Sequence, residues 1–254
     1  MKYTAIVLAG SRPGPDPFAK QFGNDIKALI AVGGEPMVRR PVRALLASPQ
    51  VREVIVLAQE TARLADVIPR DPRVIFRQSS GTIAETMLAI CMDPRTHWPL
   101  LVTTADHALL DPSMIAEFCA GAAACDIAVG VVERDVLMHR FPDSQRTWLK
   151  FRGGAYTGAN LFALSSAKSA AAIELWRTIE QDRKKGWRVV GVLGPFVLIG
   201  TLLRLLTIDN VLALLGRKIG VTIRAVRLSD PVAGVDVDKP ADHTLVEAIL
   251  AGRA

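Results

Sequence analysis

Three stretches of this 254-residue chain hold residue types able to handle a polyphosphate and its cation. The first is Ile6-Val7-Leu8-Ala9-Gly10-Ser11-Arg12-Pro13-Gly14, an apolar strand running into a basic turn that contains glycine. Glycines let backbone N–H groups approach a ligand, and a guanidinium adds fixed charge. Leu8, Ala9, Gly10, Ser11, Arg12 and Gly14 therefore form a candidate phosphate-binding turn. Lys27, farther on, could neutralise triphosphate charge or stabilise a pentavalent transition state. The second stretch, Leu101-Val102-Thr103-Thr104-Ala105-Asp106, ends an apolar strand in a carboxylate. The third, Val235-Asp236-Val237-Asp238, sets two carboxylates on one face of an extended chain. Mg²⁺ takes one or two carboxylates with phosphate oxygens and water, so these acids are of metal-ligand grade.

Each residue also has a plainer reading. Asp106 could be a helix N-terminal acid, but Asp111 before Pro112 already fills that role, which favours a metal ligand. His107 reads as a loop residue, because imidazole suits Mg²⁺ poorly. Asp238 with Pro240 could cap a final helix over 241–251, and that role is compatible with metal binding. In Gln78-Ser79-Ser80-Gly81-Thr82, Ser80 or Thr82 could be a helix N-cap. Gly158 and Asn160, in Tyr156-Thr157-Gly158-Ala159-Asn160, could serve turn chemistry alone.

The elements that must position these residues are legible from hydropathy. Strand-like runs fall at 3–8, 54–57, 74–76, 100–103, 127–132 and 221–226. Helical patterns fall between them at 36–47, 61–65, 82–91, 112–123 and 166–181. Such alternation predicts an α/β fold, a three-layer α/β/α sandwich with a mostly parallel central sheet. Right-handed crossovers then gather the strand ends, with the turn after Leu8 and Asp106 among them, along one crevice. With no repeat or low-complexity linker, residues 1–254 are expected to form a single domain.

Together these motifs resemble the nucleotidyltransferases of the glycosyltransferase-A-like fold, and among them the MobA-like NTP transferases. The family's Leu-Ala-x-Gly opening and basic turn correspond to Leu8-Ala9-Gly10-Ser11-Arg12. Its lysine and apolar run correspond to Lys27-Ala28-Leu29-Ile30-Ala31-Val32-Gly33-Gly34-Glu35-Pro36-Met37. Its central strand-ending carboxylate corresponds to Asp106, and its closing Val-Asp-Thr-Pro-Glu-Asp to Val237-Asp238-Lys239-Pro240-Ala241-Asp242. The resemblance spans nearly the whole chain, with the motifs in the family's order. It implies a nucleotide-diphospho-sugar transferase-like sheet, with Arg12, Lys27 and Asp106 catalytic. Asp106 and Asp238 would hold Mg²⁺, with Asp236 as a secondary ligand. Ser79, Ser80, Gly81 and Thr82 would meet the base, while Gly158 and Asn160 would line the acceptor pocket. Two departures stand out. An insertion over 13–24 brings a second lysine, Lys20, and Lys239 replaces the usual threonine.

Half of the residues are apolar, enough for a large core, and the net charge of +6 suits anionic ligands. That charge is too dispersed to argue for nucleic acid. Cys91, Cys119 and Cys125 lack metal-site spacing and read as small apolar residues in a reducing compartment. With no signal peptide visible, a cytoplasmic location is expected. Two segments look like additions. Residues 133–157, with Lys150, are expected on the acceptor side. Residues 183–220 open on Arg183-Lys184-Lys185-Gly186-Trp187-Arg188 and continue with fifteen uncharged residues, Val189 to Leu203. That is short of the roughly 20 needed to span a bilayer, and glycines and Pro195 interrupt it. Added core helices are the first reading of this segment, a homodimer surface the second and peripheral membrane contact the third.

The expected activity is Mg²⁺-dependent transfer from an NTP, with a lean to CTP, onto a phosphorylated small-molecule acceptor with release of pyrophosphate. Two alternatives stand beside it. A glycosyltransferase of the same fold would carry Asp-x-Asp where this chain reads Ala105-Asp106-His107-Ala108. A non-catalytic nucleotide-binding protein would not need Arg12, Lys27, Asp106 and Asp238 together.

Overall fold

A computed structural model of the chain describes residues 1–10, 14, 16–79, 81–181 and 200–254. Ser11, Arg12 and Ser80, and the 183–199 part of the apolar segment, lie outside the described residues.

The central sheet has eight strands. Strand β1 (Tyr3–Leu8) lies near its middle, between β4 (Val51–Ala58) and β6 (Leu100–Thr104), parallel to both. Beyond β4 runs β5 (Val74–Gln78), again parallel. On the other side β9 (Gly154–Leu164) runs antiparallel between β6 and β7 (Ile127–Glu133), and β10 (Ile223–Arg227) closes the edge parallel to β7. The order is β10-β7-β9-β6-β1-β4-β5, with β8 (Leu149–Phe151) paired to β9 as a hairpin. A small ribbon, β2 (Ala31–Val32) with β3 (Glu35–Pro36), stands apart. The sheet is thus mostly parallel, as its alternating sequence pattern requires.

Alternation along β1 explains the three layers. Tyr3, Ala5 and Val7 enter a core shared with helices α2 (Arg39–Ala47) and α5 (Pro112–Ala122). Ile6 faces a second core with α4 (Ile83–Met92) and α7 (Ala170–Gln181). Burying one Ile or Leu side chain contributes about 1.5–3 kcal/mol, and a strand buried on both faces gains from each. Ile6, Leu100, Leu101, Leu45, Ile115 and Phe118 are all fully buried.

Observed ends differ from the expected ones for local reasons. The helix expected from residue 36 begins at Arg39, because Pro36 belongs to the β2–β3 ribbon. The helix expected from 166 is preceded by a 3₁₀ turn, Ala167–Ser169. The strand expected from 221 begins at Ile223, since Gly220 (φ 74°) ends the preceding helix in the left-handed region that favours glycine. That helix, α8 (Ile208–Ile219), starts at Thr207, whose hydroxyl accepts from the Asn210 N–H. It buries Ile208 and Gly216. Shielding does not extend to Leu202, Leu203 and Leu205, which are exposed. No described helix is long and apolar enough to cross a membrane.

Candidate nucleotide site

Parallel pairing sets the site. Leu8 lies opposite both Leu57 and Thr104. The Ala9 N–H donates to Leu57 C=O and the Ala105 N–H to Leu8 C=O, so the chain leaves β1 and β6 side by side. Gly10 and Asp106 therefore stand on one rim of the sheet. Strand order diverges at β1, which opens a crevice at these carboxyl ends. A Cβ on Gly10 would come within 3.1 Å of the Gln59 side chain, so the missing Cβ keeps this turn close to the β4 end.

Lys27 reaches the same rim on a 3₁₀ turn, Lys27–Leu29. The turn is pinned by Ala28 and Ile30, both buried, and by the Val38 N–H donating to Ala28 C=O. Its Nζ donates to Asp106 Oδ2 at 2.6 Å and Asp238 Oδ1 at 2.5 Å. The two carboxylates thus lie at most about 5 Å apart, where like charges repel unless a cation sits between them. Burial alone would depress the Lys27 ammonium, but Asp106 and then Asp238 outweigh it and hold its pKa above the ordinary value. Burial likewise works against charge on Asp238, yet Lys27 holds that carboxyl below its usual range.

Asp238 is delivered by the segment before α9 (Pro240–Leu250). Val235 and Val237 are buried, and the Val237 N–H donates to Asp106 C=O at 3.1 Å, stitching the segment to the end of β6. The backbone N–H groups of Asp238 and Lys239 donate to Asp242 Oδ2, each at 3.2 Å. Asp242 therefore supplies the helix start, and the Asp238 side chain turns instead to Lys27. Thr104 adds a hydroxyl that donates to Asp106 Oδ1.

The fit to a divalent cation follows from this donor set. Two hard carboxylates converge where an ammonium already balances them, and the Asp238 side chain is 62% exposed and open to ligands. Among the described residues no cluster of three or more His, Cys, Asp or Glu could hold a metal. A cation here would complete its shell with phosphate and water, the habit of Mg²⁺.

Asp236 is placed differently. Its carboxylate accepts from Arg146 and, at 2.8 Å, from Asn160 Nδ2. Arg146 is mostly buried and also lies 3.7 Å from Asp242. Asn160 has a positive φ of 47° at an irregular point in the β7–β9 pairing. Asp236 and Asn160 thus tie β9 to the segment bearing Asp238. Gly158 lies on β9 with open space at its Cβ position, and Lys150 is exposed on β8.

On the opposite side of β1, Ser79 follows β5, with its N–H bonded to Ala58 C=O. Its hydroxyl meets Thr86 Oγ1 at 2.8 Å. Thr82 caps α4 in a reciprocal box with Glu85. Gly81 leaves room for that glutamate, because a Cβ there would come within 2.3 Å of Glu85 Oε2. Lys20 is exposed on a short helix, Pro17–Gln21, and forms no ion pair among the described residues. Asp111 caps α5. His107 is fully buried, and burial pushes its pKa down to about 4, so it is neutral at physiological pH. Sequence reasoning missed Thr104 and Arg146. Thr104 carried a local signal, a hydroxyl two residues before the strand-ending acid. Arg146 carried none.

Comparison with known proteins places this geometry in context. The model of the MobA-like NTP transferase domain matches residues 5–191. A search of curated proteins finds no match. Among solved structures, a hypothetical transferase from Thermus thermophilus is 27% identical, with 96% of this chain and 100% of that one covered and a TM-score of 0.78. A CMP:2-keto-3-deoxy-manno-octonic acid synthetase complexed with CTP is 13% identical, with 100% of both chains covered and a TM-score of 0.61. A 4-diphosphocytidyl-2C-methyl-D-erythritol synthase from Anaerococcus prevotii is 10% identical, covering 98% of this chain and 96% of its own, with a TM-score of 0.60. At such identities the last two show the fold alone.

Proposed function

This chain belongs to the MobA-like NTP transferase family and is a nucleotidyltransferase, and we propose that it joins an NTP to a phosphorylated small-molecule acceptor with release of pyrophosphate. The observation that carries the reading is the convergence of Asp106 and Asp238 on Lys27 at the carboxyl ends of β1 and β6. The acceptor phosphate attacks the α-phosphorus, the bond to the β-phosphate bridging oxygen breaks, and pyrophosphate leaves with the electron pair. An acceptor already anionic needs no general base, so the side chains work by alignment and charge neutralisation.

Lys27 and Arg12 offer cations to the triphosphate oxygens, and the Gly10 turn offers backbone N–H groups. Asp106 and Asp238 would hold Mg²⁺, which supplies charge neutralisation on the triphosphate when bound. Ser79, Ser80, Gly81 and Thr82 border the base, and Gly158 and Asn160 border the acceptor. CTP is the favoured nucleotide, since two of the similar folds carry cytidylyl chemistry in their names. The work takes place in the cytoplasm.

The test is a panel of four NTPs with Mg²⁺, scored for pyrophosphate release with phosphorylated acceptors. CTP should give the highest rate, and Asp106→Asn should fold like the parent while losing turnover by about two orders of magnitude or more. Undiminished turnover in folded Asp106→Asn would remove the metal-site assignment.

A further inference from the structure

The turn end of the β8–β9 hairpin, residues 149–155, and the segment 200–206 build a second feature outside the residues assigned to nucleotide chemistry. A cleft of about 410 Å³ is lined by Arg134, Lys150, Phe151, Gly154, Ala155 and Arg204. The Arg152 N–H donates to Leu206 C=O at 2.9 Å, which fastens segment 200–206 to the hairpin. Lys150 and Arg204 form no ion pair among the described residues. Among the described residues Arg134 pairs only with Asp135, 3.8 Å away, whose side chain is 97% exposed. Around the cleft Leu149, Leu202, Leu203 and Leu205 are 57%, 82%, 61% and 59% exposed. Cations set among protruding leucines form an amphiphilic surface, not an ordinary polar one.

We propose that this surface docks the protein on an anionic phospholipid membrane, with a headgroup phosphate seated among Arg134, Lys150 and Arg204. Charge selects this occupant. A second copy across a two-fold axis would bring like cations together, whereas an anionic surface neutralises them. Lys150 also lies on the sheet's short outer strand, where a charged side chain discourages strand addition. The leucines supply the apolar half by entering the headgroup–acyl boundary. The docking surface lies beyond one end of the nucleotide crevice. Leu161 of β9 pairs with Thr103, so residues 154–160 project past the end of β6. At about 3.3 Å per residue, Gly154 lies about 20 Å along the strand from Asn160. Docking is therefore separate from the transfer site and stands or falls independently of the nucleotide reading.

The full chain is sedimented with vesicles of phosphatidylcholine, with or without phosphatidylglycerol, at low and high salt. Binding should require phosphatidylglycerol and be reversed by salt. Each cation removed should weaken it about fivefold, so Lys150→Ala with Arg204→Ala should cost about 25-fold. Leu202→Ser with Leu203→Ser should weaken binding even at low salt. Circular dichroism and urea unfolding of both variants should match the parent, since the substituted side chains are exposed. Absence of binding, equal binding to neutral vesicles, or undiminished binding of the cation variant would overturn the proposal. So would complete competition by soluble glycerol phosphate, which would reassign the cleft to a free phosphate. A dimer abolished by the leucine substitutions would reassign the surface to a second copy.

Discussion

At the scale of single residues, the two lysines of the opening motif have different surroundings. Lys27 is held between Asp106 and Asp238, while Lys20 is exposed and without an ion pair among the described residues. Lys27→Ala removes the cation from between two converging carboxylates and from the triphosphate. A loss in kcat/KM of about 10²–10³-fold is expected, the usual cost of one oriented charge donor. Lys20→Ala should stay near the parent, and the reverse outcome would mean that the inserted turn has been aligned wrongly. Steady-state kinetics on purified variants decide between them. Lys27, Asp106 and Asp238 were each readable in the sequence, because each ends or adjoins an apolar run with its own signature. Their meeting was expected only through the family resemblance, since no local pattern encodes the Val237-to-Asp106 backbone bond on which it depends. Nor was the fate of Asp236. Two-residue spacing places it beside Asp238, but its partner, Arg146, comes from an irregular stretch that no periodicity flags.

At the scale of elements, the parallel strands were legible and the antiparallel one was only partly so. β9 spans Gly154–Leu164, and only its Leu161-Phe162-Ala163-Leu164 end is strand-like in hydropathy. Gly154, Gly158 and Asn160 interrupt its hydropathy, and the bulge that gives Asn160 its positive φ is the device that turns its amide to Asp236. A different hidden constraint governs α8. Gly216 sits inside this helix, where alanine would ordinarily gain about 1 kcal/mol. Here a Cβ would come within 2.4 Å of the Val221 backbone oxygen, so backbone must move to admit it. Gly216→Ala should therefore destabilise, by about 1–3 kcal/mol, as overpacking does. Urea unfolding should show a lower midpoint with an unchanged slope. A raised midpoint would mean that the α8–β10 junction yields freely. The sequence could not expose this contact, because it joins a helix interior to the turn that follows its own end.

At the scale of the whole molecule, buried acidic protons link stability to alkaline pH. Burial pushes the Cys119 thiol up to about 12 and the Cys91 thiol up to about 11, both from 9.0. Burial, followed by the neighbouring Cys119 and Cys125, pushes the Tyr3 phenol up to about 12 from 10.0. In each case the folded chain binds the proton more tightly than the unfolded chain. Stability is therefore complete below pH 9 and is lost as pH rises through the folded values. One pKa unit corresponds to 1.36 kcal/mol, so Cys119 alone accounts for about 4 kcal/mol by pH 12. That is a large share of the 5–15 kcal/mol that holds a typical domain together. Urea titrations at a series of pH values above 9 should give a falling free energy of unfolding. Cys119→Ala should be somewhat less stable at neutral pH, because it loses a buried sulfur, yet its alkaline limb should fall less steeply. Tyr3→Phe should flatten the same limb only above pH 10, where a free phenol begins to ionise. Parallel limbs in the parent and in both variants would show that these buried protons do not control the alkaline transition.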